Sequence, residues 1–228
     1  MANLKDALKQ KQDLNTVSTP QIFNLRLEQD RKKVEQLFID DKVKKIVDDY
    51  PEQLREYFST QNPTLVFQQD FEVKFTNYLQ AMQQKSPLEE QGNWVYYPWL
   101  FTLVHILEEQ EFFTVRTARN RNLITTEEQN IFYNAKIGIA GLSVGNSVAL
   151  AIALQGGAKH LKLADFDRLA LSNTNRIRVG IESLGQLKCE ITAKQIYTIN
   201  PYAQVEIFTS GLTPENIGNF FSGTICNG

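Results

Sequence analysis

Gly141-Leu142-Ser143-Val144-Gly145-Asn146-Ser147 and Asp165 are the residues whose types and spacing first suggest chemistry in this sequence. Glycines let a backbone turn tightly and approach a phosphate closely. A helix that starts just after such a loop offers the anion free N–H groups and a partial positive charge. An acid at the tip of the following strand can accept hydrogen bonds from ribose hydroxyls, and Asp165 stands 24 positions after Gly141, near the usual spacing. Ser143 and Asn146 occupy the second and third glycine positions of G-x-G-x-x-G, so the loop alone is a weak signal. The same residues also read G-x-S-x-G, the nucleophile elbow of a hydrolase. That chemistry needs an acid and then a histidine downstream of the serine. His105 lies upstream and His160 opens the next strand, so the hydrolase reading is set aside.

The elements that must position these residues are legible on both sides. Ile137-Gly138-Ile139-Ala140 is a short apolar run that ends in the loop, and Val148 to Leu154 follows as an Ala- and Leu-rich stretch suited to a buried helix. Gly156-Gly157 ends that helix, and Leu161 to Asp165 makes a second strand finishing in the acid. Strand, loop, helix, strand and acid is the order of a nucleotide-binding βαβ unit. A helix from about Gly185 to Thr198, a third strand at Val205–Phe208 and a last helix from Glu215 to Phe221 should continue it. The three strands are expected to be parallel, in the spatial order third, second, first.

Four further elements follow in a definite order: Asp165-Phe166-Asp167, then Leu171-Ser172-Asn173-Thr174-Asn175-Arg176, then Gly185-Gln186-Leu187-Lys188, then Ile199-Asn200-Pro201. This series resembles the ATP-binding signature of the ThiF/MoeB/HesA superfamily, the adenylating enzymes that include ubiquitin-activating proteins. The match runs from roughly Arg116 to Phe221. The wording of the loop, with Arg119 to Thr125 upstream, is most similar to a branch of ThiF-like proteins, some of which are fused to a nitroreductase-like domain.

The resemblance implies an ATP-dependent adenylyltransferase that activates a carboxylate, possibly the C-terminus of a small ubiquitin-like or sulfur-carrier protein, with ATP and Mg²⁺ as cofactors. It implies that Gly141, Ser143, Gly145 and Asn146 line the phosphates and that Asp165 binds the ribose. Asn173, Arg176 and Lys188 would contact the phosphates, with Asp167 and Asn175 near the nucleotide. In ThiF-like enzymes an arginine just before the first strand reaches the triphosphate, often that of the other subunit of a homodimer; Arg119 and then Arg121 fit that place, and guanidinium geometry suits bidentate phosphate contact. The family's magnesium-binding aspartate follows a fourth strand, and its zinc-binding C-x-x-C pairs lie later still. Neither is found in this sequence, so the chain reads as a truncated member with no metal ligand of its own.

The remainder is expected to form an α/β protein of two parts: residues 1–115 mainly helical, and 116–228 a partial, three-stranded Rossmann-like sheet. A chain of 228 residues allows one to two domains, and 42% hydrophobic with 22% charged residues is ordinary for a globular protein. A net charge of −2 and a pI near 5.8 leave no electrostatic footprint for nucleic acid. Met1 to Gln10 has no apolar core of a signal peptide, and the longest apolar stretch, near Pro98 to Leu107, is too short to span a membrane. Cys189 and Cys226 form no C-x-x-C pair, and the default location is the cytoplasm.

Along the first part, residues 1 to about 20 read as a frayed arm. Two short helices are expected between Asp40 and Ser59, the first capped by Asp40 or Asp41 and the second opened by Pro51. Another should run from Asp70 to Gln84, and one more from Glu108 to Val115; Thr125 starts a capping box. The aromatic segment Trp94 to Leu107 is expected to pack against the nucleotide unit, with His105 a satisfied core histidine.

Two other function classes compete with adenylation. One is a NAD(P)-binding oxidoreductase domain, which would need neither the L-S-N-x-x-R element nor Lys188. The other is a nucleotide-free interaction module. A first strand without a fourth beside it would leave an unpaired edge flanked by apolar side chains, so self-association, most simply as a homodimer, is expected there.

Overall fold

Two β-sheets organise the computed structural model, which describes residues 19–223. The expected arm falls mostly outside the described residues, as do the last five residues with Cys226.

The second sheet is the one the sequence outlines. Strands β5 (Lys136–Ala140), β6 (His160–Ala164) and β7 (Gln204–Phe208) are parallel in the order β5-β6-β7, with Ile137 beside Leu161 and Leu161 beside Val205. Strand order and direction are as predicted, and β5 forms the outer edge among the described residues. Successive strand residues point to opposite faces. Ile137, Ile139, Leu161, Leu163, Val205 and Ile207 therefore share one face and pack against two crossover helices. The first crossover helix is α6 (Gly145–Leu154) and the second is α7 (Lys188–Ile199).

Ahead of them lie α1 (Glu28–Ile39), α2 (Tyr50–Gln61), α3 (Phe71–Lys85), α4 (Glu109–Arg116) and α5 (Thr126–Asn134). The start of α5 carries the predicted capping box: the Thr125 hydroxyl accepts from the Glu128 N–H, and the Glu128 carboxylate accepts from the Thr125 N–H. A short α8 (Ile217–Phe221) follows β7.

Helices hold most of the first part, but a four-stranded mixed sheet that the sequence reading did not foresee runs through it. Its order is β1 (Gln21–Phe23), β3 (Asn93–Tyr97), β4 (Thr102–Ile106), β2 (Lys45–Asp48). The expected helix after Asp40 is instead β2, parallel to β4 with Lys45 beside Thr102 and Asp48 beside His105. Asp40 and Asp41 end α1 rather than start a helix. Asp41 is left-handed at φ 55°, and the Asp40 and Lys42 N–H groups bond back to Gln36 and Leu37. The Lys44 and Lys45 N–H groups then donate to the Phe101 carbonyl, which commits the chain to the sheet. Ile46 ends half-exposed, so it is not a core residue.

The aromatic segment is the β3–β4 hairpin, and it does pack against the nucleotide unit. Val95, Tyr97 and Ile106 share a core with Leu142, Ala149, Leu150, Leu161 and Ile196, while Trp94, Tyr96 and Leu103 face Phe23, Val34 and Leu37. His105 is 1% exposed and stacked between Tyr50 and Trp94, with ring centroids 4.0 and 4.3 Å away. Its Nδ1 lies 3.0 Å from Asp48 Oδ1 and its Nε2 lies 2.8 Å from the Gln91 carbonyl, so it is a core histidine with a polar neighbour at each ring nitrogen. Among the described residues no helix is long and apolar enough to cross a membrane.

Candidate nucleotide site

The loop that leaves β5 turns at Gly141, whose φ of +83° favours glycine, and its N–H donates to the Ala164 carbonyl at 2.8 Å. A side chain at Gly141 would meet nothing within 4 Å, so the backbone there faces open space. At Gly145 the requirement differs. A Cβ would lie 2.7 Å from Ile139 Cγ2, so glycine allows the helix start to sit directly on the strand. These two glycines aim the first N–H groups of α6 past the C-terminal ends of the strands, where open α/β sheets bind ligands.

Asp165 holds this geometry. It is 7% exposed, its Oδ2 accepts from the Leu142 N–H at 2.6 Å, and its Oδ1 accepts from the Asp167 N–H at 2.8 Å. The acid therefore ties the glycine loop to the tip of β6 before any ligand is considered. A carboxylate oxygen can accept more than one hydrogen bond, so capacity remains for a ribose hydroxyl.

Lys188 arrives beside Asp167 from 21 residues away because the segment between folds into a clip. The Lys188 N–H donates to the Asp167 carbonyl at 3.0 Å, Leu169 N–H to Gln186 at 2.8 Å, and Gly185 N–H to Leu169 at 2.9 Å. Leu169, Ile177 and Ile191 fill the small core beneath the clip. The Lys188 ammonium, with 5% of its side chain exposed, then pairs with Asp167 at 2.7 Å. Within the loop, Asn173 Oδ1 accepts from the Ala170 N–H at 3.0 Å and shapes the turn at Leu171–Asn173. Arg176 crosses back over the glycine loop, its Nε donating to Ser143 Oγ at 2.9 Å and its Nη1 to Asn175 Oδ1 at 3.0 Å.

Gly141, Ser143, Gly145, Asp165, Asp167, Asn173, Asn175, Arg176 and Lys188 are thus drawn around the tips of β5 and β6. Three other named residues behave differently. Asn146 is 1% exposed and turns inward, its Nδ2 donating to Thr192 Oγ1 at 3.0 Å and Gln195 Oε1 at 2.8 Å, so it couples α6 to α7. Arg121 donates to the Thr60 carbonyl at 3.0 Å, and Arg119 is exposed. Both lie in the turn Ala118–Asn122. Arg116, just before that turn, and Asn120, within it, bond the carbonyls of Ala153 and Gln155 at the far end of α6. A ten-residue helix places that end about 15 Å from the loop of the same chain.

One residue the sequence reading passed over is Phe166, 71% exposed between the two acids. A side chain at Gly211, which has a φ of +70°, would come within 2.9 Å of its ring. An aromatic residue at the middle of D-x-D was the signal available. A cleft of about 750 Å³ lies not here but at the opposite ends of the strands, around Lys136, His160 and Gln204. Size alone does not locate the site, because the loop side of this sheet edge is open rather than enclosed. Among the described residues no three His, Cys, Asp or Glu side chains converge to hold a metal ion.

Comparison with known proteins agrees with the motif series. An uncharacterized protein of Mycobacterium tuberculosis is 40% identical over 164 residues, covering 71% of this chain and 23% of that protein. The tRNA threonylcarbamoyladenosine dehydratase of Escherichia coli is 35% identical over 95 residues, covering 40% of this chain and 35% of the enzyme. The crystal structure of the E. coli dehydratase in complex with ATP aligns at 30% identity and a TM-score of 0.44, over 47% of this chain and 45% of that one. The chain thus spans between about a quarter and a third of the length of the curated relatives it matches. The profile of the ThiF family matches residues 117–225, the stretch that contains the loop, the acids, the clip and Lys188, and this part of the chain is a ThiF-family domain.

Proposed function

We propose that this chain carries the nucleotide-binding part of an ATP-dependent adenylyltransferase that activates a carboxylate. The observation that carries the reading is the tie from the Asp165 carboxylate to the Leu142 N–H, with Arg176 on the same loop and Lys188 paired to Asp167, two residues after Asp165. ATP fits this donor set. Asp165 would accept from ribose hydroxyls, and the open backbone at Gly141, the Arg176 guanidinium and the Lys188 ammonium would stabilise phosphate charge. When bound, ATP supplies the activated phosphoryl centre, with Mg²⁺ neutralising its charge. A nicotinamide dinucleotide would use the loop and the acid but has no need of Arg176 or Lys188.

Isothermal calorimetry separates the two. Mg-ATP should bind with clear preference over NAD, and Arg176→Ala should weaken ATP at least about tenfold, the scale of one charge-assisted contact. Preference for NAD, or an Arg176→Ala variant with wild-type ATP affinity, would overturn the reading.

The carboxylate we favour is the C-terminus of a small ubiquitin-like or sulfur-carrier protein. The relatives include an enzyme named for a tRNA nucleoside, but a net charge of −2 gives this chain no basic footprint for RNA. A cytoplasmic location belongs to the same proposal. So does assembly as a homodimer. The outer edge of β5 is unpaired among the described residues, and Val144, Val148 and Leu154 of the adjoining α6 region are exposed. A second copy would also give the exposed Arg119 a nucleotide site to reach, which its own chain does not. Multi-angle light scattering at tens of micromolar should show a dimer; a monomer at that concentration would remove this part of the proposal.

A further inference from the structure

The face of the second sheet turned away from α6 and α7 plays no part in the function proposed above. Alternate residues in register place Lys136 and Gly138 of β5, His160 and Lys162 of β6, and Gln204 and Glu206 of β7 on this face. Parallel sheets usually bury both faces under apolar cover. Here charged and polar side chains occupy the positions a covering helix would need to be apolar. Against this face α8 lays Phe220 over Gly138 and Phe208, nearer the other end of the strands. The strand starts are therefore wet by design of the sequence, and they wall the cleft of about 750 Å³.

The charged groups that face this cleft come from every element around it. Lys159 pairs with Glu109 of α4. Lys162 donates to the Ser222 carbonyl at 2.9 Å beyond α8 and lies 3.7 Å from Glu206 of β7. The Lys136 and His160 side chains have no hydrogen bond or ion pair among the described residues. Three lysines against two carboxylates leave the cleft with one net positive charge. Burial, and then the nearby Lys136 and Lys159 ammonium groups, push the His160 imidazole below its usual pKa. The unpaired Lys136 ammonium beside His160, in a cleft with one positive charge in excess, leaves the site short of an anion, because an entering negative charge offsets that cation and favours protonation of the ring.

We propose that this cleft binds a small oxyanion of the phosphate class, with Lys136 and His160 as direct donors and Lys159 and Lys162 adding to the field. Strands of five residues separate it by about 16 Å from the glycine loop, so it is distinct from the nucleotide site and does not depend on that reading.

The test uses His160 as its own probe. The chain has two histidines, and His160→Gln identifies the resonance by its loss. The imidazole is titrated by NMR in sodium phosphate and in sodium chloride of equal ionic strength. Phosphate should raise the His160 pKa by about half a pH unit or more, saturably, and Lys136→Ala should remove the difference. Methyl phosphate in a parallel series distinguishes an esterified from a free phosphate by which saturates at lower concentration. A His160 pKa equal in phosphate and chloride, or a phosphate shift that never saturates, or one that survives in Lys136→Ala, would overturn the proposal.

Discussion

Asp165→Ala should lower the unfolding free energy by about 2–4 kcal/mol and weaken ATP binding by an order of magnitude or more. The size follows from what the carboxylate holds. Two N–H groups, those of Leu142 and Asp167, point at an acid that is 7% exposed, and alanine would leave both without an acceptor. Each buried donor left unmet costs about 1–3 kcal/mol. Asp165→Asn keeps the shape and one acceptor oxygen, so it should recover much of the stability while the nucleotide remains weakened. Urea unfolding and calorimetry on the two variants separate loop anchoring from ribose contact. A stable Asp165→Ala variant would show that the tie is dispensable. Wild-type ATP affinity in both variants would take Asp165 out of the site.

Asp167 and Lys188 should respond asymmetrically, although they form one ion pair at 2.7 Å. Asp167→Ala strands an ammonium group with 5% of its side chain exposed, and removing one partner of a buried pair costs several kcal/mol. The Asp167 side chain is 52% exposed, so water screens part of this, and a loss of about 2–3 kcal/mol is expected. Lys188→Met removes the buried charge altogether and leaves an acid that water can solvate. Its stability should stay within about 1 kcal/mol of wild type. Nucleotide affinity should rank in the opposite sense, with Lys188→Met losing at least tenfold if the lysine contacts the phosphates as proposed. Equal destabilisation by the two substitutions would mean that the pair is solvated, and unchanged ATP binding in Lys188→Met would confine the lysine to a structural role.

Much of the nucleotide unit was legible because its determinants are local. The run from Ile137 to Ala140, the small-residue loop, the Ala-rich helix and the acid after Leu163 each state a conformation within a few residues, and chain order then makes the sheet parallel. The capping box at Thr125 is of the same kind, since both partners sit three residues apart. The first sheet was hidden for the opposite reason. Val43, Ile46 and Val47 fit a helical spacing as well as a strand, and what decides is a parallel partner some 57 residues later, with the Phe101 carbonyl waiting for Lys44 and Lys45.

The sequence by itself therefore determined the ThiF-type domain, because motif order and spacing are properties of the chain. Only the tertiary structure decided what each of those residues does with its hydrogen-bonding groups. Asp165 spends its oxygens on backbone N–H groups, Lys188 is neutralised by Asp167, Asn146 turns into the seam with Thr192, and Arg119 and Arg121 lie at the wrong end of α6 for their own loop. None of these outcomes is written in a residue's neighbours. Each is set by which distant donor or acceptor the packing brings within about 3 Å, and that is a property of the folded chain alone.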